Sequence, residues 1–370
     1  MFKKFEMERF QSLYENEVKY NLSDSGNHPM SINQLLNEEE VKALLDMEIF
    51  YGYSKGDPRL CEAVSMWYPE KTSDNILITN GSAEANFVMA TTLIQPEDEV
   101  VLVLPNYMQI PGIVENIGAK ITNIYLKEEL DWHIDMDEMR SLVTPKTKLI
   151  SICNPSNPTG AVMSDREMEE LAEIARQNNA FVHSDEVYRG SELNNIETNS
   201  FANFYEKAII SCGLSKSFAH PGLRIGWVVA DSSLIADMWS RKDYSSITSS
   251  VLSQEIAIKI MSETNKEKIL SRSSVMLESN LQLFQTWLDK HEGLFSFVPP
   301  KAGGMAFVGY QMDINSTEYA HKLRTEQSVL IVPGDHYGMD NYLRFGIGSE
   351  ANYLTEGLSL VSDSIQSLGY

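Results

Sequence analysis

Apolar residues fall along this chain in short, nearly unbroken runs separated by amphipathic stretches. Asn75–Thr79, Glu99–Leu104 (EVVLVL), Lys120–Leu126 (KITNIYL), Lys148–Cys153 (KLISIC), Phe181–His183, Ala208–Ser211 and Ile225–Ala230 read as strands. SAEANFVMATTLI comes after the first run as a helix candidate. Ser164-Asp165-Arg166-Glu167 forms a capping box that opens a second helix over MEELAEIARQNN. Strand, helix, strand in this rhythm predicts parallel pairing through crossovers. Strands apolar at almost every position predict a sheet covered on both faces. The expected fold class is therefore α/β, with a mostly parallel doubly wound sheet.

The pattern changes after about residue 245. Long helical stretches (SSVLSQEIAIKIMSE, SSVMLESNLQLFQTWLDKH) lead into shorter, hairpin-like apolar segments: FSFVPPKAGGMAFVGY, SVLIVPG and YLRFGIGS. This predicts three parts. Residues 1–40 form an arm packing on a small C-terminal α+β domain at 275–370, and residues 41–274 form the large domain.

In doubly wound sheets, ligands sit beyond the carboxyl ends of the strands. The residues just past each strand are therefore informative. Gly81, Ser82 and Ala83 open a helix whose N-terminal amides suit a phosphate. Tyr107 comes after the second strand, and Asn157 lies in the rigid turn NPSNPTG. Asp185 and Tyr188 come after the strand at 181–183. Ser215 and Lys216 come after the strand at 208–211, and Arg224 precedes the next one. Each has a bland reading: a helix cap, a packed aromatic, a turn, an ion pair. Together they supply phosphate donors, a ring-stacking aromatic, hydrogen-bonding groups, a carboxylate and an amine at one sheet edge. That set is what pyridoxal 5'-phosphate needs.

Charge and composition narrow the alternatives. A net charge of −22 repels nucleic acid. No run of eighteen apolar residues is present for a membrane span, and the charged start MFKKFEMERF has no signal-like apolar core. Three scattered cysteines fit a reducing cytoplasm, and the seven histidines show no metal-ligand spacing. The G-x-x-x-x-G-K-[ST], G-x-G-x-x-G and G-x-S-x-G patterns of ATPases, dehydrogenases and serine hydrolases are missing.

NPSNPTG, DEVY and LSKSFAHPGLRIGW, in this order, resemble the class I/II aminotransferases of pyridoxal-phosphate fold type I, over essentially the whole chain. The resemblance implies that Lys216 is the Schiff-base lysine, Arg224 a phosphate ligand and Asp185 the partner of the pyridine nitrogen. It implies that Arg344, in LRFGIGS, grips the substrate α-carboxylate. Tyr51, in YGYSKG, resembles a tyrosine that reaches the phosphate of a neighbouring subunit, which implies a homodimer with shared sites. The substrates implied are an amino acid and a 2-keto acid. One departure stands out: Gly213 occupies the position, three before the lysine, where the family often has a hydroxyl.

A narrower similarity, to enzymes of the capreomycidine synthase type, rests on NLSDSGNHPMSINQL, RKDYSSITSS and SVLIVPGDHYG. It implies an eliminating and cyclising alternative to transamination. It draws in Gly26 as a substrate-binding position and His28 as a candidate acid, although turn formers flank His28. A non-catalytic relative is the remaining alternative, and the retention of Lys216, Asp185 and Arg344 argues against it.

Overall fold

The computed structural model describes residues 3–370. The central sheet has seven strands: β2 (Ile76–Thr79), β3 (Glu99–Leu104), β4 (Lys120–Tyr125), β5 (Thr147–Cys153), β6 (Phe181–Asp185), β7 (Ala208–Gly213) and β8 (Gly226–Val229). They come after a two-residue β1 (Tyr20–Asn21), and their order is β2-β8-β7-β6-β5-β3-β4. All neighbours are parallel except β8, which runs antiparallel between β2 and β7. The short connection from 214 to 225 explains the reversal. A parallel return needs a crossover of a dozen or more residues, usually a helix, and this segment holds only a one-turn 3₁₀ helix at Pro221–Leu223.

The unbroken apolar runs are explained by the cores. Ile76, Ile78, Val101, Val103, Ile150, Ile152 and Ile210 pack into one cluster, while Leu77, Val100, Leu102, Leu149 and Ile209 pack into another. Alternate residues of one strand thus enter opposite cores, as the two-residue pleat requires.

The C-terminal sheet is antiparallel, with order β12-β13-β10-β9, from β9 (Phe295–Phe297), β10 (Met305–Tyr310), β12 (Val332–Pro333) and β13 (Tyr342–Gly346). Between them β11 (Val329–Leu330) pairs in parallel with β1. Phe10, Tyr20 and Leu22 join the cluster that holds Ala306, Val308, Leu343 and Phe345 of the C-terminal sheet, while Met7, Leu35 and Leu36 join the cluster that holds Ile76, Ile150 and Ile210 of the central sheet. A single helix, Glu263–Leu288, runs through the expected boundary at 274/275. The N-terminal helix α1 (Glu6–Tyr14) carries Met7 and Phe10 buried on one row. No helix among the described residues is long and apolar enough to cross a membrane.

Candidate active site

A cavity of about 450 Å³ opens at the carboxyl ends of β5, β6 and β7. It is lined by Ser82, Ala83, Tyr107, Asn157, Asp185, Tyr188, Ser215, Lys216, Arg224 and Arg344, with Glu8, Gln11, Glu15, Asp24 and Ser25 from the N-terminal arm. Residues spread over more than three hundred positions meet here because each sits just past a strand end or on a segment packed across one.

Asp185 ends β6 and is buried. Its Oδ2 accepts from Asn86 Nδ2 at 3.2 Å and its Oδ1 from the Val187 amide at 3.3 Å. No cation among the described residues touches it, and burial pushes its carboxyl up to about 6. A protonated pyridine nitrogen would supply the missing positive partner.

The end of the cavity near Arg224 is built around glycines. Gly81 has φ +78°, and a Cβ there would lie 2.4 Å from Arg224 Nη2, so only glycine admits the guanidinium. The next helix, Ser82–Leu93, has no side-chain cap, which leaves its first amides free for an anion. Arg224 itself sits at φ +52°, and its Nη1 donates to Ser215 Oγ at 3.3 Å and to the Pro221 carbonyl at 3.0 Å. A Cβ on Gly213 would meet the Ile225 carbonyl at 2.9 Å and Gly226 Cα at 3.0 Å. The hydroxyl absent at this position therefore has no room here. Guanidinium, hydroxyl and free amides make a donor set that fits a phosphate dianion.

At the other end Arg344 is only 2% exposed. Its Nη1 donates to Asn157 Oδ1 at 3.0 Å and to Tyr337 Oη at 2.7 Å, and its Nη2 to the Ser23 carbonyl. Its Nε is buried without a protein partner. Tyr188 Oη lies 2.7 Å from Ser25 Oγ, and Tyr107 Oη donates to Glu8 Oε2 at 2.9 Å. The hydroxyl of Tyr188 and the amide of Asn157 line the cavity beside Asp185, and both already have protein partners.

Lys216 Nζ donates to Asp24 Oδ1 at 3.0 Å. The ammonium, the Gly26 amide and Arg344 together hold the Asp24 carboxyl down at about 2, against the opposing effect of burial. Gly26 lies underneath: a Cβ there would sit 3.3 Å from the Ser215 carbonyl and 3.5 Å from Lys216 Cδ.

Two expected residues lie elsewhere. Tyr51 is 83% exposed and borders a groove with Phe50, Tyr53 and Arg59, outside the cavity. His28 turns its ring to Glu350, with Nε2 3.5 Å from Oε1. It does not line the cavity, in keeping with the plain reading of a histidine between turn formers. The reason is local: its backbone amide is tied to the Gly348 carbonyl at 2.7 Å, and the chain turns away at Pro29. Five cavity-lining residues of the N-terminal arm escaped the sequence reading: Asp24, Ser25, Glu8, Gln11 and Glu15. The last three recur at helical spacing beside the apolar row Met7, Phe10 and Tyr14. That signal was available but silent about what the polar row faces.

Comparison with known proteins agrees with this geometry. The family model for aminotransferase class I and II matches residues 19–359. The chain belongs to that family. Its pyridoxal-phosphate fold type I places it among the cofactor-dependent aminotransferases. A solved PLP-dependent aminotransferase from Streptococcus suis superposes with a TM-score of 0.93 at 32% identity, over 99% of this chain and 98% of that one. Capreomycidine synthase of Streptomyces vinaceus is 25% identical across 94% of this chain and 90% of its own length. Aspartate aminotransferase of Sulfolobus acidocaldarius is 26% identical across 90% of this chain and 87% of its own.

Proposed function

We propose that Lys216 is the amine through which this aminotransferase moves an amino group between an amino acid and a 2-keto acid. The carrying observation is one cavity lined by Lys216, the buried Asp185 and Arg344. Bound pyridoxal phosphate supplies an aldehyde and an electron-accepting ring for the electron pair left when the α-proton departs. Every other part of the work falls to the chain. Arg224, Ser215 and the amides of Ser82 and Ala83 hold the phosphate. Asp185 keeps a proton on the ring nitrogen, because a buried carboxylate favours a positive partner. Asn157 and Tyr188 orient the ring through its phenolic oxygen, and Tyr107 packs on its face. Arg344 holds the α-carboxylate by a planar fork. Lys216 Nζ, once released by the substrate amine, would take the α-proton and deliver it across the nitrogen to the cofactor's C4′ carbon, as general base and then acid.

Borohydride reduction of the loaded protein and subsequent peptide mapping test the assignment. The label is expected on Lys216, and a label on another lysine removes the proposal. A single turnover with an amino acid and no keto acid should release one equivalent of keto acid.

A second reading, β-elimination with cyclisation, is favoured by one observation: a carboxylate, Asp24, stands directly on the Lys216 amine. Repeated release of ammonia from a β-substituted amino acid would select it.

We also propose a homodimer. Leu45, Ile49, Phe50, Tyr51 and Tyr53 are exposed within nine residues, and such a patch needs a cover. The cover fits a second copy whose cavity receives Tyr51.

A further inference from the structure

The cavity has more negative groups than its own cations can answer once a substrate is bound. On the functional reading proposed above, on which this inference rests, Arg224 belongs to the phosphate, Arg344 to the α-carboxylate and Asp185 to the ring nitrogen. Lys216, released as the base that takes the α-proton, must be a neutral amine at that stage. Glu8, Glu15 and Asp24 remain. Among the described residues, Asp24 pairs only with Lys216, and neither Glu8 nor Glu15 forms an ion pair.

These carboxylates are placed by the fold. Glu8, Gln11 and Glu15 recur at intervals of three and four, so they share one face of α1 and of its C-terminal cap. The adjoining row, Met7 and Phe10, is buried and pins the helix down, which sets the polar row against the cavity. Gln11 Nε2 donates to the Ser23 carbonyl at 2.9 Å and to Ser23 Oγ at 3.1 Å. That contact ties the helix to the loop carrying Asp24. The carboxyl of Glu15 is pushed up by burial first, then by repulsion from Glu8 and Asp24. A second observation points to a ligand: Arg344, which lines the same cavity, is 2% exposed and its Nε has no protein partner.

We infer that the α1 face and the Asp24 loop select an amino acid whose side chain carries a positive charge, an ammonium or a guanidinium. Arg344 takes the carboxylate end and the three carboxylates take the cationic end. A second carboxylate, as in glutamate, meets like charge there and is disfavoured.

The test uses the dimeric, cofactor-loaded full chain and three ligands that lack the α-amino group and cannot react: 5-guanidinopentanoate, hexanoate and glutarate. Calorimetric binding is expected to favour the guanidino acid over hexanoate by roughly tenfold to a hundredfold, with glutarate weakest. Glu15→Gln and Asp24→Asn should each narrow that gap while leaving hexanoate affinity in place. Turnover should show the same order, with arginine or ornithine ahead of norleucine and glutamate. Equal affinities for the three ligands in the unmutated protein, or a preference for glutarate, overturn the inference. A gap that survives both substitutions also overturns it. Failure of the functional reading looks different: no amino acid of any class would alter the bound cofactor's spectrum, whatever the ligand order.

Discussion

The Lys216 amine lies 3.0 Å from the Asp24 carboxylate, contributed by a loop 192 positions earlier in the chain. The pair locks the N-terminal arm onto Lys216, and it is made and lost with pH. The Asp24 carboxyl is depressed from 3.8 to about 2 in the folded protein. A depressed carboxyl stabilises the fold above its unfolded pKa, and the contribution fades as pH falls through the folded value. In the cofactor-free protein, Asp24→Asn should therefore cost about 1 kcal/mol or less near neutrality, since Asp24 is half exposed. The difference from the unmutated protein should vanish between about pH 4 and 2. Denaturant melts across that range check this.

Asp185 titrates the other way. Burial raises its carboxyl from 3.8 to about 6, so its contribution to the cofactor-free protein is full below about pH 4 and lost as pH rises through 6. The loss is about 3 kcal/mol. Asp185→Asn should remove that fraction of the pH dependence, read as the difference between the two stability curves from about pH 4 to 7. With the cofactor present the order reverses. The substituted protein should bind pyridoxal phosphate more weakly by roughly tenfold or more, because the ring proton loses its charged partner.

Restoring a hydroxyl at position 213 should hurt. Gly213→Ser places a Cβ 2.9 Å from the Ile225 carbonyl, and overpacking of this kind costs about 1–3 kcal/mol. The expected outcome is a lower melting temperature and weaker cofactor retention, despite an added phosphate donor. Tighter cofactor binding would show that β7 and β8 can part to make room.

Arg344→Lys should weaken amino-acid binding by roughly tenfold to a hundredfold, because lysine cannot reproduce the planar fork. Cofactor content should stay unchanged. Equilibrium binding of an amino acid and of its decarboxylated amine separates this from a merely structural role. The unmutated protein should distinguish the two, and the variant should not.

That Asn157, Asp185, Tyr188, Lys216 and Arg224 meet at one cavity was legible in the sequence because these residues are local. Asn157, Asp185, Tyr188, Lys216 and Arg224 each lie within a few positions of an apolar run, and strand ends place them without help from the rest of the chain. The same locality made the doubly wound sheet readable, since runs this short, apolar at nearly every position and separated by helical stretches, fit strands covered on both faces. The direction of β8 was less open to periodicity, which is the same for parallel and antiparallel strands. It is set by the connection at 214–225 being too short for a crossover.

The substrate end was decided by tertiary structure. His28 and Asp24 sit in one loop, and nothing local says which faces inward. The choice is made by the His28 amide bonding to the Gly348 carbonyl and by Asp24 finding the Lys216 ammonium. Likewise, the spacing of Glu8, Gln11 and Glu15 fixes that they share a helical face, a property of about 3.6 residues per turn. What that face looks at depends on where Met7 and Phe10 are buried, and those two side chains enter cores built from residues hundreds of positions away. Helical periodicity is a short-range property written in the chain, whereas the partner of a charged face is set by long-range packing.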